Sequence, residues 1–159
     1  MDDVMVIETV EQNSTAIAPV QPTDISGYQN AIMADVSEQG YYSTFKVETM
    51  ADKKKLYRAK SDAKMLRDFM GVAIEVADFI LAPQTINDAD TGAKTVVAAY
   101  IVATDGVTYQ SASTGVVKSV CTILSDFGNP STWDEPLFVE CKETYTAQGF
   151  RYKFLTVVE

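Results

Sequence analysis

The sequence predicts a mainly β domain with one helix, preceded by an acidic arm, and three observations carry that reading. Residues 41–159 fall into short runs rich in β-branched and aromatic residues, separated by Gly, Pro, Asn and Asp clusters. Only residues 113–127 keep helical spacing of apolar side chains over several turns. Residues 1–40 are polar and acidic, with weak periodicity. The chain has 159 residues, 47% of them hydrophobic, enough for a real core in one domain. Collagen-like, disulfide-scaffold and fully disordered classes are excluded.

The arm holds polar runs such as Gln12-Asn13-Ser14-Thr15 and Pro19-Val20-Gln21-Pro22. Low hydrophobicity with excess charge does not offset the entropy of ordering, so a flexible tail is expected over 1–40. Met5-Val6-Ile7 and Ala31-Ile32-Met33 could each dock locally, which leaves a docking arm as the other reading. From Tyr41 the texture changes. Thr44-Phe45-Lys46-Val47-Glu48-Thr49 alternates apolar and polar residues, the period of a half-buried strand. Lys54 through Ala59 reads as a second extended piece, and residues 62–69 as a short helical turn. Residues 72–81 form a strong strand closed by Pro83, and residues 95–102 another, ending at Asp105-Gly106.

The helix follows, with Ser111 or Ser113 as N-cap. Val116, Val117, Val120, Cys121, Ile123, Leu124 and Phe127 share one face, and Gly128 before Asn129-Pro130 ends it. Strands over 137–144 and 150–158 finish the chain, joined through Ala147-Gln148-Gly149. Five strands with the helix between the third and fourth is the order of the OB-fold, a partly open barrel, here assigned to 41–159. A small sandwich or another barrel shares the same string.

Chemistry is narrowed by what is missing. No histidine is present, which removes Ser-His-Asp and Cys-His catalysis and most zinc sites. Phosphate-binding glycine loops are absent. Asp88 and Asp90 before Gly92 lack the glutamate that a calcium loop requires. Asp134-Glu135 and the Glu140/Lys142/Glu143 group read as solvated surface. No catalytic residue, metal site or cofactor is nominated, and no enzyme is expected. Cys121 and Cys141 read as buried free thiols in a reducing, cytoplasmic setting. No secretory leader or membrane-spanning run is expected.

The net charge of -9 is unevenly spread: residues 1–52 carry -8 and residues 53–159 carry -1. Lys53, Lys54, Lys55, Arg58, Lys60, Lys64 and Arg67 face one acid, Asp62, a local +6. Tyr57 interrupts this stripe, Tyr109 precedes the helix, and Trp133 sits in a polar loop. The last strand reads Phe150-Arg151-Tyr152-Lys153-Phe154, so rings and bases fall on opposite faces. Either face could lie toward the core. Non-specific single-strand binders need cations that follow phosphates and rings that stack bases. The bland alternatives are a solvated lysine turn and packed rings: most phenylalanines are expected in the core, and Tyr57, Tyr109 and Trp133 fit packing as well as stacking.

The run Lys55-Leu56-Tyr57-Arg58-Ala59-Lys60-Ser61, the segment 71–79 and Asp105-Gly106-Val107-Thr108-Tyr109-Gln110-Ser111-Ala112-Ser113 carry a further signal. With Phe127-Gly128-Asn129-Pro130, Trp133, Glu135-Pro136 and the closing Gln148 to Leu155 segment, they resemble the small phage-encoded single-stranded-DNA-binding proteins, including those of protein-primed podophages. The likeness spans about residues 43–159 and implies a non-enzymatic OB-fold protein of the host cytoplasm. It would coat displaced single strands during phage DNA replication, with possible cooperative or homo-oligomeric assembly and replication proteins as partners. The expected DNA contacts are Lys53, Lys54, Lys55, Tyr57, Arg58, Lys60, Tyr109, Trp133, Arg151, Tyr152 and Lys153; of these the resemblance itself supports Tyr57, Arg58, Tyr109 and Trp133. The alternative reading is a small phage structural or protein-interaction module.

Overall fold

The computed structural model describes residues 25–90 and 92–158. In chain order the elements are α1 (Ile25–Gln39), β1 (Tyr42–Ser43), α2 (Met50–Ser61), β2 (Lys64–Met65), β3 (Ile74–Asp88), β4 (Gly92–Ala103), β5 (Thr108–Ser111), α3 (Thr114–Phe127), β6 (Phe138–Tyr145) and β7 (Arg151–Val158). Short 3-10 turns lie at Leu66–Phe69 and Pro130–Thr132. The strands form one sheet in the order β2-β5-β4-β3-β6-β7, with β1 added beside β3. It curls into an open half-barrel, an arrangement consistent with an OB-like barrel.

Several expectations are corrected. Among the described residues seven strands replace five and three helices replace one, although β1 and β2 are only two residues each. Helix placement differs too: α3 follows β5, but α1 and α2 precede the long strands. The expected strand over 44–49 is not one. Thr44 makes the last ladder bond, its N–H donating to Phe79 O at 3.1 Å. The Ser43 hydroxyl then accepts from Phe45 N at 3.1 Å and donates to Phe45 O at 2.9 Å, turning the chain out of the sheet. Residues 54–59 are helical rather than extended. Thr49 Oγ1 accepts from Asp52 N at 3.1 Å, and Asp52 Oδ2 accepts from Thr49 N at 3.1 Å. This reciprocal cap satisfies amides that would otherwise be orphaned and starts α2.

Pro83 does not close its strand. β3 runs through it to Asp88 in register with β4, Pro83 facing Val97. At that point β4 is the neighbour, so the missing N–H can face the free edge.

The stretch expected to be an arm is structured from Ile25 onward. Ile32 and Val36, one turn apart on α1, are buried in the main core. Residues 1–24, including Met5-Val6-Ile7, lie outside the described residues.

Both faces of β3–β4–β5 are covered, which explains their nearly continuous apolar sequence. Phe79, Leu81, Ile101 and Tyr109 join Val116, Val120, Cys121 and Leu124 of α3. On the opposite face Ile80, Ala82, Ala98, Tyr100 and Val102 meet Leu56 and Ala59 of α2. A bulge in β3 between Val76 and Asp78 shifts the alternation, so Val76 and Phe79 share a face though three residues apart.

Helix α3 covers the outer edge of β7. The Ser119 hydroxyl donates to Gly115 O at 2.8 Å and accepts from Leu155 N at 3.0 Å. That edge amide therefore has a partner despite the absence of a further strand beside it. Gly128 ends α3 at φ 79°, a conformation only glycine adopts without strain.

Candidate nucleic-acid interface

Helix α2 positions most of the basic stripe. Leu56 and Ala59 anchor it to the sheet, so the residues between them and on the far side face solvent. Lys53, Lys54, Tyr57 and Arg58, with Met50 and Ser61, line a shallow open groove of about 610 Å³. Tyr57 is 70% exposed, so its ring is available for stacking. Among the described residues Lys53, Lys54, Arg58 and Lys60 have no acidic partner. Lys60 is half-buried on the flank.

Lys55, also exposed, leans toward the sheet instead. Its Nζ lies 3.4 Å from Asp78 Oδ2 and 4.0 Å from the centre of the Phe45 ring. Asp78 in turn accepts from Thr44 Oγ1 at 2.8 Å. Lys55, Arg58 and Lys64 also border a second groove of about 490 Å³, closed on the other side by Gly106, Val107 and Thr108. Asp62 lies between the two grooves and is their acidic member.

Tyr109 does not face either groove. It is buried, and its ring meets Phe69 edge-on with centroids 5.1 Å apart. Pairing of β5 with β4 places Tyr109 opposite Ile101 inside the main core, so stacking on a base is sterically closed to it. Trp133 packs against the same core from the loop after α3. Its Nε1–H donates to Phe127 O at 2.9 Å and Gly128 O at 3.1 Å, tying the loop to the carbonyl end of the helix. The cleft beside it, about 690 Å³, includes Asp134 and Glu135, a rim that repels phosphate. Tyr109 is thus packed inside, while Trp133 is half-buried and lines this cleft, apart from the groove on α2.

The alternation of β7 is resolved as follows. Cys141 of β6 faces Leu155 of β7 across the ladder, and both are buried. Arg151, Lys153, Leu155 and Val157 therefore lie on the core side, and Tyr152 and Phe154 on the outer side. Arg151 and Lys153 reach Glu143 at 3.5 and 3.8 Å, just beyond the end of the core. The rings of Tyr152 and Phe154 lie side by side, centroids 6.2 Å apart and planes 24° apart. Phe154, expected in the core, is thus only half-buried. Phe127 and Phe138, also expected inside, are 48% and 37% exposed.

The two thiols are fully buried and free. Burial pushes the Cys121 thiol up to about 11 and raises Cys141 as well, which removes thiolate chemistry near neutral pH. Among the described residues no three His, Cys, Asp or Glu side chains are grouped to hold a metal. None of the described helices is long and apolar enough to cross a membrane.

Comparison with curated proteins and with solved structures gives no match. A family model does match, that of the phage single-stranded DNA-binding protein, over residues 35–158. The matched span starts within α1 and takes in every later strand and helix, including the cationic face of α2 and the rings of β7. Spread over most of the chain, that agreement makes this protein a member of the phage single-stranded DNA-binding protein family, a non-catalytic DNA-binding family.

Proposed function

We propose that the chain coats and protects displaced single strands during phage DNA replication, without reading their sequence. The open half-barrel serves as an OB-type scaffold, and the contacts are electrostatic along α2 with aromatic stacking beside them. Acting on phage genomes, the protein works in the host cytoplasm. Coating places several copies side by side on one strand, in the path of the replication proteins.

The observation that carries this reading is the outer face of α2: Lys53, Lys54 and Arg58 exposed around a 70% exposed Tyr57, without acidic partners among the described residues. Cations so placed can follow a phosphate backbone, and an exposed ring between them offers a stacking surface to any base.

Anisotropy of a labelled poly-dT oligonucleotide, titrated at several salt concentrations, tests the proposal. Binding should be saturable, tighter than to duplex, and weaker with salt by roughly 0.7 log units per log salt for each phosphate neutralised. The Lys53→Ala/Lys54→Ala variant should lower that slope by about 1.4. Tyr57→Ala should weaken binding roughly 5- to 100-fold if one base stacks on it, without changing thermal stability. Equal affinity for duplex, or a salt slope unchanged in the lysine variant, would refute the mechanism.

A further inference from the structure

The outer face of the β6–β7 hairpin carries a row of rings, of which only Tyr152 is among the DNA contacts expected from sequence. Tyr152 and Phe154 stand two residues apart on β7, on the side away from Leu155 and Cys141. Phe150 extends the row. Thr146 N–H donates to Phe150 O at 2.8 Å, and Phe150 N–H donates to Thr146 Oγ1 at 3.1 Å. These bonds continue the ladder one pair past Tyr145 and Arg151, so Phe150 projects to the same side as Tyr152. Phe150 is 70% exposed, and Tyr152 and Phe154 are half-buried.

Facing these rings across the ladder are Thr146, Thr144 and Lys142, all small or flexible. Lys142 is exposed and has no ion-pair partner among the described residues. The nearest acid on β7's paired strand, Glu143, points to the other face and holds Arg151 and Lys153 there. Glu140, opposite Thr156, bounds the row at its far end. A ring row with a cation beside it and no acid among its members matches the two requirements of single-strand binding.

Tyr152 is also held in place. Gly115 at the start of α3 lies against Tyr152, so closely that an added Cβ would sit 2.8 Å from Tyr152 Cζ. A ring whose rotamer is fixed before binding loses little side-chain entropy when a base lands on it.

We infer that Phe150, Tyr152 and Phe154 form a base-stacking subsite for single-stranded DNA, with Lys142 meeting the adjoining phosphate. The subsite rests on the single-strand reading above but is separate from α2, which supplies cations and Tyr57. The Tyr152 and Phe154 ring centres lie 6.2 Å apart, close to the roughly 6.8 Å between alternate strand residues, which favours a stretched strand with successive bases over successive rings.

Leucine replacements keep the apolar volume and remove the π-face. Phe150→Leu/Tyr152→Leu/Phe154→Leu should weaken poly-dT binding at least 10-fold while the salt slope stays at its wild-type value. Lys142→Ala should instead reduce the slope by about 0.7. Phe150→Leu alone, at a turn position with little packing, should weaken binding roughly 5-fold or more and guards against a triple variant that does not fold. Ultraviolet crosslinking to poly-dT should mark the peptide carrying residues 150–154. Wild-type binding with unchanged affinity in the leucine variants, or crosslinks confined to α2, overturns the subsite while leaving the single-strand reading intact. Absence of wild-type binding defeats both.

Discussion

Gly115→Ala is the sharpest test of how α3 and β7 fit together. The second residue of α3 sits directly against the β7 backbone. An alanine Cβ there would overlap the Lys153 carbonyl oxygen and approach Tyr152 Cζ and Cε1 to 2.8 and 2.9 Å. A backbone atom cannot rotate away as a side-chain tip can, so either α3 or β7 must move. Forcing one extra carbon into a packed contact costs about 1–3 kcal/mol. Movement also stretches the bond from Leu155 N–H to Ser119 Oγ, now 3.0 Å, worth about 1 kcal/mol. Alanine's better helix propensity returns up to about 1 kcal/mol. The net loss is about 2 kcal/mol, a fall in Tm of roughly 4–8 °C for a domain of this size. Thermal denaturation by circular dichroism reads it directly. Thr114→Ala, one residue earlier and exposed, is the control and should stay within about 2 °C. An unchanged or raised Tm for Gly115→Ala would mean that α3 does not seal the edge of β7 as described.

Four further outcomes follow from the same geometry. Trp133→Phe removes the indole donor that serves Phe127 O and Gly128 O, so stability should drop by about 1 kcal/mol while poly-dT affinity is retained; a large affinity loss at constant Tm would return Trp133 to the interface. Thr49→Ala opens the cap of α2 and should cost about 1 kcal/mol. Asp52 is held below its ordinary carboxylate value by the N–H groups of Glu48 and Thr49, so its contribution is present above about pH 4 and lost on acidification; a stability profile between about pH 3 and 6 should be flatter in Asp52→Asn. At the alkaline end the sign reverses: Cys121 is raised to about 11 by burial, so its contribution is full below an unfolded value near 8.5 and is lost as pH climbs toward 11. Tyr100, also raised by burial, acts in the same direction, and urea midpoints of Cys121→Ala against wild type isolate the thiol's part of the slope.

The helix that the sequence reveals most plainly is the one whose stability comes from burial. Six of the seven apolar positions expected on α3 are buried, Phe127 being the exception at 48% exposure. Helix α2 is hard to read from sequence because Leu56 and Ala59 are its only buried residues and five of the others are cationic. Its readable signal was local: Thr49 three residues before Asp52, then a run of helix formers without Gly or Pro. α1 shows the converse. Its polar composition resembles a tail, yet Ile32 and Val36 at i, i+4 spacing suffice to dock it. For β7, alternation yielded two faces but not their assignment; that depends on Cys141 lying opposite Leu155, a register no single strand encodes. Tyr109 shows the same limit, since its burial is decided by Ile101 across the sheet and by Phe69.

The net charge takes on a different meaning once α1 is in place. Residues 1–24 carry five acids and no base, so removing them alone takes the chain from -9 to -4. Deletion through residue 40 would also take Ile32 and Val36 out of the core, and any loss of binding would then report unfolding. Truncation after Asp24 is therefore the informative cut. If those acids compete with phosphate for Lys53, Lys54 and Arg58, the truncated protein should bind poly-dT more tightly, and the gain should shrink as salt screens both interactions. Equal gain at low and high salt would show that the segment blocks the interface by bulk, and weaker binding would place it on the DNA itself.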